Sequence, residues 1–213
     1  GNHDMNYDSP DDRHALETFR RTFGPEYYSF DYGQVHFVVL DNIEYRGEKA
    51  QESSGYIEKI DPRQIAWLKN DLAPVPKDRL IVLNMHAPLC SYKKTGGIRN
   101  LRLLLKALED RDRVLALAGH THTTEQHFLG AEFGRRNPHP VHLIVCGALC
   151  GSWWNGPKDE RGVPVADQSD GCPNGWFLIE VDGSQYHSRF KAAGKDKHYQ
   201  LRIANADTIS ATD

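Results

Sequence analysis

Three stretches of this chain, RLIVLNMHAP (79–88), RVLALAGHTHTT (113–124) and VHLIVCGA (141–148), each begin with a short apolar run and end in a small or polar turn. Such runs lack the in–out alternation of a half-wet strand, so each reads as a strand buried on both faces. YYSFDYGQVHFVVLDN (27–42) adds two more strands around a tight turn near Gly33, the second nearly all apolar. DPRQIAWLKNDLAPVP (61–76) carries a helix start, with Asp61 as N-cap and Pro62 at the first helical position. Ile65, Leu68 and Leu72 then share one face of that helix, and a proline ends it. NLRLLLKALED (100–110) is a second amphipathic helix, whereas 43–60 is polar and Gly-containing and reads as a surface loop.

Helices alternating with apolar strands predict an α/β core with a covered sheet. From about Gly156 the pattern changes. A Gly/Pro/Asp-rich connector leads into three helix-free segments, 175–182, 185–193 and 197–203, expected to pair as a mostly antiparallel β appendage. The predicted organisation is a core over 1–155 and a β-rich module over 156–213, ending in a frayed tail.

Hydrophobic residues make up 39% of the 213 and charged residues 26%, a globular balance. No apolar run approaches the ~20 residues that span a bilayer, and no signal peptide is visible. A net charge of −3 provides no basic footprint for nucleic acid. Cys90, Cys146, Cys150 and Cys172 are too dispersed for a zinc ribbon. They are expected to be small buried hydrophobes, with a disulfide as the alternative.

The eleven histidines show where to look for chemistry. GNHD (1–4), NMHAP (84–88) and GHTH (119–122) each follow or lie beside an apolar strand. In α/β folds the loops at the carboxyl ends of parallel strands converge on the ligand site. One histidine at a strand end is ordinarily a hydrogen-bonded loop residue, but three clusters in this order are a pattern.

That pattern resembles the calcineurin-like metallophosphoesterase superfamily, whose blocks run D-x-H, G-D-x-x-D, G-N-H-[DE], a lone His after a strand, and G-H-x-H. The last three are matched in order. The β appendage, with DGCPNGW and YQLRI, is similar to the C-terminal module of a bacterial subgroup. The residues do not fix a location, and an extracytoplasmic or periplasmic one is the expectation. The resemblance implies an αββα sandwich and two divalent ions, Mn, Fe or Zn, that hydrolyse a phosphate mono- or diester. Small-molecule, lipid or nucleotide phosphoesters are the implied substrates. Asn2, His86 and His120 would hold the second metal and His122 the first. His3 would face the phosphate and protonate the leaving oxygen, with Asp4 orienting it. Arg99, Trp153, Trp154 and Asn155 are candidate substrate contacts, and Lys93 and Lys94 are read as solvating a loop.

The D-x-H and G-D-x-x-D blocks have no counterpart. Gly-Asp occurs nowhere, and the D-x-H triplets at Asp12–His14 and Asp196–His198 follow no apolar strand. Two +2 ions ~4 Å apart repel by roughly 16 kcal/mol at an effective dielectric of about 20. Neutral His and Asn ligands do not offset that. The chain is therefore expected to be a fragment of a longer enzyme, supplying the C-terminal half of its active site and inactive alone. Two other readings are a non-catalytic binding module that keeps the fold, and a metallo-β-lactamase-type hydrolase. HTHTTEQ lacks the Asp-His that the latter needs. Trp153 or Trp154 is expected to be buried at the seam with the appendage; exposure would instead favour stacking on substrate.

Overall fold

The apolar runs become the central strands of one sheet in the computed structural model, which describes residues 1–47, 55–92 and 97–199. A 3-10 turn, Asn2–Asp4, precedes α1 (Asp12–Ala15), α2 (Glu17–Phe23), β1 (Tyr28–Tyr32) and β2 (Val35–Val39). Next come β3 (Ile43–Tyr45), β4 (Tyr56–Glu58), α3 (Pro62–Leu72), β5 (Leu80–Asn84) and α4 (Leu101–Ala107). The remainder is β6 (Val114–Ala118), β7 (Thr124–Leu129), a 3-10 turn at Ala131–Phe133, β8 (Val141–Cys146), β9 (Gly175–Asp182) and β10 (Gln185–Ala192).

The six-stranded sheet has the order β1-β2-β5-β6-β8-β7. Its inner four strands are parallel, and β1 and β7 pair antiparallel at the edges. Register aligns Val39 with Asn84, Asn84 with Leu117, and Ala118 with Val145, so the carboxyl ends of the parallel strands finish together. The loops leaving β5, β6 and β8 must emerge along one rim. His86, His120, His122 and Trp153 follow from that rim.

Both sheet faces are apolar, as the runs predict, because alternate residues point to opposite sides. Val38, Ile81, Leu83, Ala116, Leu143 and Val145 pack under Leu68 and Leu72 of α3 and Leu104 and Leu105 of α4. Each fully buried aliphatic side chain contributes about 1.5–3 kcal/mol over leaving it wet. On the other face Val35, Leu80, Val82, Leu115 and Ile144 meet Phe177, Ile179 and Tyr186 of the β9–β10 hairpin. A hydrogen bond between His142 Nδ1 and Tyr186 Oη, 2.6 Å, ties that hairpin to β8.

Asp61 caps α3 through the Arg63 amide at 2.7 Å, with Pro62 in the first turn. Asn100, at the start of α4, spends its amide on the Ile60 backbone instead of a cap. The appendage strands 175–182 and 185–192 pair antiparallel in full register. Of the third expected strand, 197–199 are not extended into a ladder and 200–203 lie outside the described residues.

Several elements depart from expectation. The stretch 43–60 is not simply loop: β3 and β4 pair there, and Ile43 and Tyr45 join Met5, Ala15, Leu16 and Ala87 in a satellite core. That cluster anchors the N-terminal segment beside the rim. The polar run after GHTH becomes the edge strand β7. Trp153 and Trp154 are not buried at the seam; they are 57% and 49% exposed. The four cysteines are free, and only Cys90 is fully buried. No helix among the described residues is long and apolar enough to cross a membrane.

Candidate metal centre

Three separated segments bring nitrogen and oxygen donors together at the sheet rim. His86 follows β5, and its Nε2 lies 2.7 Å from Asn2 Oδ1 and 3.0 Å from His120 Nδ1. The main chain locks the same loops together, since the Gly119 amide donates to the His86 carbonyl at 2.9 Å. Asn2 is buried; its carbonyl accepts from Tyr7 Oη at 2.6 Å. Burial, assisted by the N-terminal ammonium and His120 alongside, holds His86 down at about 4, so its imidazole is neutral near pH 7.

His120 and His122 both have left-handed backbones, φ 70 and 54. For non-glycine residues this costs of order 1–3 kcal/mol each and persists only where surroundings enforce it. Part of that enforcement is a hydroxyl chain. Thr121 Oγ1 meets Thr123 Oγ1 at 2.6 Å, and Thr123 donates to the buried Glu125 carboxylate at 2.7 Å. The result turns His120 toward His86 and sends His122 the other way. His122 Nδ1 lies 2.8 Å from the Ser152 carbonyl, which can only accept, so in the neutral ring the proton sits on Nδ1 and the lone pair on Nε2.

The cleft, about 270 Å³, is lined by Asn2, His3, His86, His120, His122 and Trp153 among others. His3 is exposed and its ring stands edge-on to Trp153, with centroids 6.3 Å apart. Trp153 also tilts over His122 at 5.5 Å. Asp4 is exposed and does not line this cleft. Arg99 and Asn155 are exposed, and neither lines this cleft. Lys93 and Lys94 lie outside the described residues.

The donor set fits one borderline divalent ion. Two donors held ~2.1 Å from a shared metal sit about 3.0–3.4 Å apart, and the observed separations of 2.7 and 3.0 Å need little adjustment. Imidazole nitrogens and an amide oxygen suit Zn, Mn or Fe. Among the described residues no three His, Cys, Asp or Glu side chains gather as a metal site, so the set is limited to the two imidazoles and the Asn2 amide oxygen, all of them neutral ligands.

One carboxylate at the site escaped the sequence reading. Glu58 Oε1 lies 3.6 Å from His120 Nε2, on the side of the ring away from His86. Its interaction with His120 holds Glu58 below the usual carboxylate range, against the opposing effect of burial. Tyr56, also on β4, meets Asn2 Nδ2 at 3.3 Å. The i, i+2 spacing in YIE was available in the sequence, but only a strand assignment would have put both side chains on one face.

A solved plant phosphatase shares this architecture. Purple acid phosphatase PPD1 from yellow lupin (Lupinus luteus) seeds superposes with a TM-score of 0.59 over 90% of this chain, at 14% identity. The fold is that of a purple acid phosphatase. This chain covers 37% of the lupin protein. Residues 144–213 match the family model described as the C terminal of calcineurin-like phosphoesterase. An Arabidopsis thaliana protein named probable inactive purple acid phosphatase 9 is 28% identical over 156 residues, and this chain spans 22% of its length. These matches support the calcineurin-like phosphoesterase superfamily.

Proposed function

We propose that this chain carries the histidine–asparagine half of a metal-dependent phosphoester hydrolase site. The observation behind this reading is the convergence of Asn2 Oδ1, His86 Nε2 and His120 Nδ1 from segments 84 and 34 residues apart. These three would hold one divalent ion, and His122, through Nε2, would belong to a neighbouring position. When bound, the ion would withdraw charge from a phosphoryl oxygen. His3, exposed at the cleft mouth, passes a proton to the departing ester oxygen. Trp153, open to solvent over His3 and His122, gives the organic part of a substrate a flat surface, which argues for the stacking role over a seam role. A dinuclear centre needs carboxylates that this donor set lacks, so the chain is one part of that machinery.

A second reading, a non-catalytic module that retains the fold, is favoured by the same missing carboxylates. Calorimetry with Zn2+ and hydrolysis of 4-nitrophenyl phosphate and bis(4-nitrophenyl) phosphate separate the two. The proposal expects one-to-one Zn2+ binding that His86→Ala abolishes. It also expects turnover only in a polypeptide that carries the D-x-H and G-D-x-x-D carboxylates as well. Metal-stimulated hydrolysis by this chain alone, lost on His86→Ala, would refute the one-ion reading. Absence of Zn2+ binding would favour the non-catalytic module.

A further inference from the structure

Strand β4 is too short to stabilise much by itself, yet it faces the candidate centre at two points. Tyr56 and Glu58 are two residues apart in an extended chain, so their side chains leave the same side. Ile57 between them points away and is buried. The strand is fixed from behind by pairing with β3, and the Arg99 amide donates to the Glu58 carbonyl at 2.9 Å. Its two polar side chains therefore reach the site from a held backbone.

Each of them touches a donor residue on the side opposite its donor atom. Asn2 Nδ2 donates to Tyr56 Oη at 3.3 Å, which leaves Oδ1 directed at His86. The Tyr56 ring also stands edge-on to the His120 ring, centroids 6.0 Å apart. Glu58 Oε1 lies 3.6 Å from His120 Nε2, while Nδ1 of the same ring faces His86 Nε2. At 3.6 Å this is a charge contact and not a formed hydrogen bond, yet a carboxylate so placed favours, in the neutral His120 ring, the tautomer with its proton on the facing Nε2 and its lone pair on Nδ1. Histidines that bind metals commonly have their second nitrogen held in this way, which sets tautomer and ring orientation.

We propose that β4 is the outer brace of the centre, with Tyr56 orienting the amide of Asn2 and Glu58 selecting the His120 tautomer that presents Nδ1. Both are positioning residues, and the inference rests on reading the cluster as a metal site. Neither side chain belongs to the motifs that first marked the site.

Long-range 15N–1H correlation spectra of the metal-free chain read the tautomer directly. The expected result is a His120 proton on Nε2 in the parent chain, a tautomer mixture in Glu58→Ala, and the parent pattern in Glu58→Gln, whose amide oxygen still accepts. Zn2+ titration by calorimetry should show ~10–100-fold weaker binding for Glu58→Ala. It should show a smaller loss for Glu58→Gln, and weakening for Tyr56→Phe, which keeps the ring. A His120 proton on Nδ1 in the parent chain, or unchanged Zn2+ affinity in both Glu58→Ala and Tyr56→Phe, would overturn the brace. If the parent chain binds no Zn2+, the metal reading fails, and the tautomer spectra still decide whether Glu58 controls His120.

Discussion

Asp41 ends the run VHFVVLD and sits behind the rim, where it makes the fold sensitive to pH. Its backbone is clasped on both sides by Gln64, whose Oε1 accepts from the Asp41 amide at 3.1 Å and whose Nε2 donates to its carbonyl at 2.9 Å. The carboxyl group accepts one backbone bond, from Ile43 at 3.2 Å. Burial raises it from the ordinary 3.8 to about 6, with the charges of Asp12 and Glu26 adding to the rise and the Ile43 bond opposing it. At about 1.4 kcal/mol per pH unit, that gap amounts to about 3 kcal/mol. The folded state holds its proton more tightly than the unfolded chain. The benefit is therefore complete below about pH 4 and is lost as pH rises through about 6. Asp41→Asn removes the titration while its side-chain oxygen can still accept from Ile43. Urea unfolding at pH 4 and pH 7.5 should find the variant close to the parent at the lower pH. At the higher pH it should be more stable by up to about 3 kcal/mol. A stability difference independent of pH, or a variant weaker at pH 7.5, would refute the burial argument.

Arg111 is buried and donates to the carbonyls of Leu72 at 2.7 Å and Val75 at 2.6 Å, closing the end of α3. Arg111→Met should cost about 2–4 kcal/mol in chemical denaturation, because it strands buried acceptors. Leu83→Ala, in the centre of β5 and fully buried, should cost about 2–5 kcal/mol by the same measurement. Gly97 has φ +128, and an added Cβ would lie 2.6 Å from the Leu89 carbonyl, so Gly97→Ala should lower the melting temperature of the chain despite its small volume.

Much of this architecture was legible because its signals are local. A strand buried on both faces needs an unbroken apolar run, and LIVL and VLALA could hardly pack otherwise. The Asp61–Pro62 start of α3 is written in two adjacent residues. The elements missed depend on distant partners. β3 and β4 have three residues each and exist through pairing with one another and burial of Ile43 and Tyr45 against Met5 and Leu16. β7 opens with four polar residues, Thr124 to His127, and turns apolar only at Phe128 and Leu129, a pattern that also suits a loop. The clustering of His86 and His120 followed from counting strand ends, and Asn2 joined them through the family resemblance. The place of Glu58 did not, since it needs the β3–β4 pairing. Trp153 and Trp154 misled because large aromatics usually seek cover, and here both are exposed, Trp153 over the cleft.

The wide sequence separation between Asn2 and His86, 84 residues, has a consequence for the order of assembly. The His86–His120 contact spans 34 residues and arrives with the parallel pairing of β5 and β6 through their crossover helix. Asn2 can join only once the satellite core has pinned the first segment beside that sheet. Loop-closure entropy grows only logarithmically, so the extra cost is about 1 kcal/mol, but parallel pairings between distant segments are intrinsically slow to form. A cation present during renaturation would find the imidazole pair first and the amide oxygen last. On the proposed metal reading, ion capture would come at the end of folding and would do little to hasten its early steps.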